Sequence, residues 1–315
     1  FIKKVEYMLQ SLPNSVLQMS VIFLSIVIEA LPFVLLGCLI SGALQVFLTP
    51  ERVTKILPKN KLASIAMGCG LGVFFPSCEC GIVPIVNQFV KKDVPVYTAF
   101  AFMLTAPIVN PIVIFSTFIA FGNSAKFAFL RVLGSLLVAM VVGVWLAYFS
   151  KQEILKTQLI TASEDTHQGH HHGHAHDTGS EKRKWFHQIR HLLQHSIDEF
   201  FDTGRYLIIG GLIAAAMQTY LPTGMMLTLG STKFLAVLVM LVLALTMSLC
   251  SEADAFIGSS LLSLFGAGPV VGFLVFGPMV DIKNLLMMKR YFTGRFIATM
   301  VGLIAVVVSI YAWVV

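Results

Sequence analysis

Phe74-Phe75-Pro76-Ser77-Cys78-Glu79-Cys80-Gly81 sets two thiols, a carboxylate, a proline and a glycine inside an otherwise apolar run. Hydrocarbon does not satisfy such groups, so they must face a protein cavity or a pathway. Pro76, Gly81 and the nearby Pro84 interrupt a helix and free backbone hydrogen-bonding groups. Thiolates are soft ligands. The stretch therefore predicts a broken helix that carries soft ligands at membrane depth.

Composition agrees with a membrane setting. Of 315 residues, 57% are hydrophobic and 12% charged, with a mean hydropathy of +0.83. A soluble domain carries about twice that charged fraction. The apolar runs 16–48, 99–121, 127–149, 234–249 and 296–315 are long enough, or nearly so, to cross about 30 Å of hydrocarbon as helix. Their continuity speaks against a β-barrel, whose strands alternate. The fold class is thus all-α and polytopic. The net charge of +6 is not read as nucleic-acid binding, because the basic residues sit in loops where orientation in the bilayer accounts for them. The five cysteines (38, 69, 78, 80 and 250) are odd in number and lie in apolar segments, unlike a secreted disulfide framework. Residues 1–15 are amphipathic and no cleavable signal peptide is expected.

One polar segment interrupts the pattern. Residues 151–195 carry a histidine tract followed by Lys182-Arg183-Lys184 and predict a cytoplasmic linker between a first membrane repeat, 1–150, and a second, 196–315. The halves resemble each other. Gly37-Cys-Leu-Ile-Ser-Gly-Ala-Leu-Gln45 aligns with Gly210-Gly-Leu-Ile-Ala-Ala-Ala-Met-Gln218, residues 76–80 with 248–252, and residues 106–110 with 277–281. Duplication of this kind is typical of secondary transporters. If each broken segment is a re-entrant hairpin, loops 51–61, 91–93, 150–195 and 288–295 share one side and collect most of the lysine and arginine. The positive-inside rule prefers that arrangement. Each half then crosses three times, an odd number, which makes the two repeats inverted.

Six positions around the breaks are candidates for one site. Cys78 and Cys80 can turn both sulfurs to one ion only in a broken helix, since a continuous helix diverges them by about 200°; buried cysteines also serve as small packing residues. Glu79 lies between them. The second half supplies Cys250, Glu252 and Asp254, and these carboxylates sit where a helix start would also use them. An inverted repeat would bring all six together near the midplane. Asn110 follows a second break, Ala106-Pro107-Ile108-Val109-Asn110-Pro111, and its repeat partner is Asp281, with Lys283 two residues on as a neutralising charge. Glu29 lies in an apolar run before Pro32 and aligns with Asp202; it reads as a proton carrier or as an interfacial acid. Gly68-Cys69-Gly70-Leu71-Gly72 lacks the strand context of a nucleotide loop, so close helix packing is expected. His167, His170, His171, His172, His174 and His176 form a candidate metal-binding tract that can buffer, sense or deliver a divalent ion.

Phe-Phe-Pro-Ser-Cys-Glu-Cys-Gly-Ile-Val-Pro (74–84) with Leu-Thr-Ala-Pro-Ile-Val-Asn-Pro (104–111) resembles the bacterial permease family that includes organoarsenical efflux permeases. The likeness covers both membrane halves. It implies a multi-pass protein of the bacterial inner membrane that exports soft, thiol-seeking solutes, with Cys78 and Cys80 as substrate thiols. The histidine tract is not part of that pattern and points toward a divalent metal. The expected function is export of a soft metal or metalloid, either a trivalent organoarsenical or a divalent metal. No cofactor is required, and a metal ion enters as substrate or regulator. Expected partners are the lipid bilayer, the small inorganic or organometalloid substrate, a second membrane or metal-delivery subunit, and a further copy in a homo-oligomer. Two other classes fit the residues: a membrane thiol oxidoreductase using the Cys-x-Cys pair, and a membrane subunit that scaffolds a complex. Cys-x-Cys is less typical of redox work than Cys-x-x-Cys, so no enzyme is expected.

Overall fold

A computed structural model describes residues 14–47, 57–74, 79–149, 181–220 and 233–315. Pro76, Ser77, Cys78 and the histidines from His167 to His176 lie outside the described residues. Among the described residues the regular structure is helical. The first half contains α1 (Asn14–Phe47), α2 (Lys61–Leu71), α3 (Glu79–Lys91), α4 (Val96–Val109), α5 (Pro111–Ala120) and α6 (Ala125–Tyr148). The second contains α7 (Glu181–Tyr220), α8 (Lys233–Met247), α9 (Ser251–Phe265), α10 (Ala267–Met279), α11 (Ile282–Tyr291) and α12 (Gly294–Val314). Helix α7 begins at Glu181, inside the stretch expected to be a loop up to residue 195. Its opening residues are mostly good helix formers, so the helix continues past its apolar part.

Among the described residues, five stretches are long and apolar enough to cross a membrane: Ser15–Leu44, Ala125–Tyr148, Leu192–Tyr220, Ala267–Tyr291 and Gly294–Val314. A sixth is the pair α4 and α5, bent by 42°. Three of the six precede the linker and three follow it. The run 234–249 forms only the 15-residue α8, too short for about 30 Å at 1.5 Å per residue.

The breaks follow from local chemistry. Pro111 disfavours helical backbone at Asn110, which is extended (φ −62°, ψ 132°) and accepts a hydrogen bond from the Ile112 amide at 3.0 Å. Asp281 repeats this at α11, extended and accepting from the Asn284 amide at 2.5 Å. The α8–α9 break places Ser248 at φ +45°, a left-handed conformation uncommon outside glycine. Its hydroxyl accepts from the Ile282 amide at 3.2 Å, which ties one break to the other.

Helices α2 and α3 form a hairpin that returns to the end from which it started. Ser64 and Thr98 hydroxyls meet at 2.7 Å, and a Cβ on Gly72 would come within 2.8 Å of Ala106. Helix α2 therefore runs beside α4 in the same direction. Helix α3 then comes back to Lys91, just before α4 begins at Val96. The second half repeats this: Ser248, just after α8, sits by Ile282, and α9 ends at Gly266, which also opens α10. Lys61, at the start of α2, donates to the Ala147 carbonyl at 2.8 Å and lies over Tyr148, both at the end of α6. Lys233, at the start of α8, donates to the Trp313 carbonyl at 2.8 Å and lies over Trp313 at the end of α12. Cationic heads over interfacial rings mark the two rims of the bundle.

The returning hairpins pack by close backbone approach. A Cβ on Gly37 of α1 would collide with the carbonyl of Gly81 in α3, and one on Gly68 of α2 would strike the Thr98 carbonyl of α4. Gly68 thus serves helix packing, as its sequence context predicts. Since α1 and α3 would have to separate, Gly37→Ala is expected to destabilise the protein by roughly 1–3 kcal/mol, read as a lower unfolding midpoint in detergent. Gly70, with open space beside it, is the control: Gly70→Ala is expected to leave the midpoint unchanged or higher.

Candidate functional site

The first turn of α3 delivers Glu79 and Cys80 into the centre of the bundle, where Glu79 is 2% exposed. The first turn of α9 delivers Ser251, Glu252 and Asp254 toward it from the other half, with Cys250 as the preceding cap residue. Ser251 Oγ donates to Glu79 Oε2 at 3.5 Å. These two residues hold the same place in the sequence alignment of the halves. Lys283, from the first turn of α11, puts Nζ 3.7 Å from Glu79 Oε1 and 3.5 Å from Asp281 Oδ2. Glu29, Glu79, Cys80, Cys250 and Lys283 line one small, partly open cleft, with Ile26 and Phe33 of α1 as apolar wall. Cys250 and Glu29 face each other across this cleft, and the position of Glu29 on α1 is exposed.

Arg131, in the second turn of α6 and 1% exposed, closes the other side of the cluster. Its Nε donates to the Leu274 carbonyl at 3.1 Å, Nη1 to Thr117 Oγ1 at 2.8 Å and Nη2 to the Ser251 carbonyl at 2.9 Å. The planar guanidinium fork thereby ties α6 to α5, α9 and α10. Asp254, Glu252 and Glu79 are the carboxylates that it faces. Asp254 Oδ2 is buried without a hydrogen-bond partner. A Cβ on Gly277 would lie 2.8 Å from that oxygen, so the absence of a side chain at Gly277 leaves room for the carboxylate.

The fully buried carboxylates of this cluster are Glu79, Asp254 and Asp281, and the buried cations facing them are Arg131 and Lys283. Among the described residues, three acids therefore face two bases at this point of the bundle. Burying an unpaired charge is expensive. The arrangement is therefore suited to holding a proton or a cationic species.

The structure brings Glu29, Glu79, Cys80 and Cys250 to one cleft and places Asp281 and Asp254 beside it, with Glu252 half-buried in the same first turn of α9. Asn110 stands apart: its side chain caps α5. Cys78 and the six histidines lie outside the described residues, and among the described residues no three His, Cys, Asp or Glu side chains are grouped to hold a metal ion. Sequence reasoning overlooked Arg131 and Ser251, and treated Lys283 only as the neutraliser of Asp281. Arg131 carried a readable signal, since an arginine inside an apolar span is rare and usually functional.

Removing Lys283 leaves Glu79 and Asp281 facing each other without their shared cation. Lys283→Met is expected to cost about 3–5 kcal/mol, measured by thermal unfolding of the purified protein. Adding Glu79→Gln to Lys283→Met is expected to recover part of that loss, giving a favourable coupling energy in the double-mutant cycle.

The comparisons with known proteins bear on the whole chain. The family described as "Predicted permease" (ArsP_1) matches residues 15–315. A protein of Streptococcus mutans serotype c named "Putative two-component membrane permease complex subunit" is 52% identical over 304 residues, covering 96% of this chain and 97% of its own length. The UPF0718 protein YcgR of Bacillus subtilis is 47% identical over 295 residues, covering 94% and 96%. No solved structure matches. With its family profile and its series of membrane-spanning helices, this chain belongs to the ArsP_1 family of predicted permeases and is a multi-pass membrane protein, in bacteria of the inner membrane.

Proposed function

We propose that the chain is an inverted-repeat permease that exports a soft metal or metalloid species through the Glu79–Cys250 cleft. The observation that carries this reading is the convergence of Cys80, Cys250, Glu79, Glu29 and Lys283 on one cleft, with Cys78 two residues before Cys80 in the chain. Inversion draws support from the rims. Hairpin α2–α3 starts beside Tyr148 and ends at Lys91. Lys91 and Arg290 both face Glu199, which puts the ends of α3 and α11 on one side. Hairpin α8–α9 starts beside Trp313, one crossing away from that side. The two hairpins thus enter from opposite faces and meet at Glu79 and Ser251, as broken helices do in inverted-repeat transporters.

The chemistry suits a thiol-seeking solute. A trivalent arsenical R–As(OH)2 condenses with two cysteine thiols to give R–As(S–Cys)2 and two waters, with no net charge change. A divalent soft cation would be held by thiolate and carboxylate, and its charge would meet the cluster's acids. A transported cation can compete with Lys283 for Glu79, and Glu29 can exchange a proton with the Cys250 thiol that faces it. The histidine tract, on the Lys91 side in this topology, would hold a divalent metal on the cytoplasmic face. The naming of the Streptococcus relative as a complex subunit favours a second membrane subunit for this chain as well.

The test is efflux from cells and uptake into everted vesicles across a panel of arsenicals and divalent metals. Cys80→Ser and Cys78→Ser, inserted at normal levels, are expected to bring flux of the transported species to background, and Cys250→Ser to lower it about tenfold or more. A thiol titration that responds to quinone, with no flux of any solute, would instead support the oxidoreductase reading. Deletion of His167–His176 is expected to lower tolerance of a divalent metal while leaving arsenical efflux unchanged; unchanged metal tolerance would remove the tract from the transport cycle.

A further inference from the structure

A second buried polar cluster lies apart from the Glu79 cleft. Glu199 of α7, 7% exposed, accepts a hydrogen bond of 2.5 Å from Ser41 Oγ of α1. Asn87 of α3, 1% exposed, lies beside the same carboxylate, yet neither atom of its amide completes a hydrogen bond. Ser196, one helical turn before Glu199 and 2% exposed, has a hydroxyl without a partner and packs against Gly42, next to Ser41. Four polar side chains from three helices therefore converge inside the bundle, and two of them, Asn87 and Ser196, have hydrogen-bonding capacity unspent. Buried polar groups are almost always satisfied, so the cluster is built for something that comes and goes.

Its position is informative. Asn87 follows Glu79 by eight residues along α3, about 12 Å at 1.5 Å per residue. It therefore stands between the cleft and the rim at Lys91. Ser41 and Glu199 have no polar counterparts in the other half, where the aligned positions are Ala214 and Ile26. The cluster breaks the duplication on one side of the bundle only. Among the charged and titratable groups that face Glu199 are Lys91 of α3, Arg290 and Tyr291 of α11, and Cys38 of α1. Arg290 is itself paired with Asp202, and the Tyr291 hydroxyl is shared with Thr203 at 3.1 Å.

We propose that Glu199, with Ser41, Asn87 and Ser196, forms a proton-binding site separate from the Glu79 cleft, on its Lys91 side. A carboxyl can take up and release a proton there by exchanging its hydrogen bonds with the hydroxyls and the amide, without a large movement of charge across the hydrocarbon. The permease reading supplies a use for such a site, a proton taken from one face during transport. Proton binding itself is independent of that reading and is tested without any substrate.

The experiment is infrared difference spectroscopy of the purified full chain in lipid nanodiscs, stepped between acid and neutral pH. Wild type is expected to show a protonated-carboxyl C=O band that is lost on raising the pH. Glu199→Gln, which keeps shape and folding, is expected to remove one such component, Glu199→Asp to retain it, and Ser41→Ala to shift its frequency through loss of the hydroxyl donor. A Glu199→Gln spectrum identical to wild type overturns the proposal. So does a band that responds to sodium at constant pH, which would make this a sodium site. Loss of arsenical and metal flux in every assay, with the Glu199 band intact, would refute the function proposed above and leave the proton site standing.

Discussion

Two basic side chains, Arg131 and Lys283, make the centre of this bundle tenable. A carboxylate at bilayer depth is costly unless a partner neutralises it and hydrogen bonds fill its lone pairs. Glu79, Asp254 and Asp281 all lie there. Lys283 shares itself between Glu79 and Asp281. Arg131 spends its donors on backbone and hydroxyl oxygens of three other helices and faces the acids with its charge. The helix starts that create the site are thereby locked in place by the same charges that balance it.

The broken helices explain why these groups can be there at all. A continuous helix satisfies its own backbone, while a break exposes amides and carbonyls that need partners. Asn110 and Asp281 supply such partners at equivalent breaks, and Ser248 joins the two breaks of the second half. Glycine at Gly37 and Gly81 lets α1 cross α3 at backbone contact, so the first turn of α3 is held without a large side chain filling the cleft. The strain at Ser248 sits next to Cys250, where a preset backbone is most useful.

The packing also departs from strict duplication. Helix α1 packs extensively on α3, whereas α7 packs extensively on α11. The cleft at Glu29 and the Glu199 cluster both belong to this unequal flank.

Much of the architecture was legible in the chain itself. Long apolar runs in α1, α6 and α12 declare membrane helices, because hydrocarbon thickness and helical rise leave little choice. Proline and asparagine at residues 107–111 declare a break, and the Cys-Glu-Cys segment with its weaker repeat around Cys250 marks a candidate site. What sequence could not supply was the meeting of side chains distant along the chain. That Ser251 touches Glu79, that Lys283 serves both Glu79 and Asp281, and that Arg131 clamps the site from a helix with no motif of its own are decided by tertiary packing. So is the Glu199 cluster, assembled from single polar residues on separate helices. Local chemistry dictates where a helix can begin and end; only the docking of the helices determines which buried charges find each other, since electrostatic compensation acts through space and leaves no periodic mark along the chain.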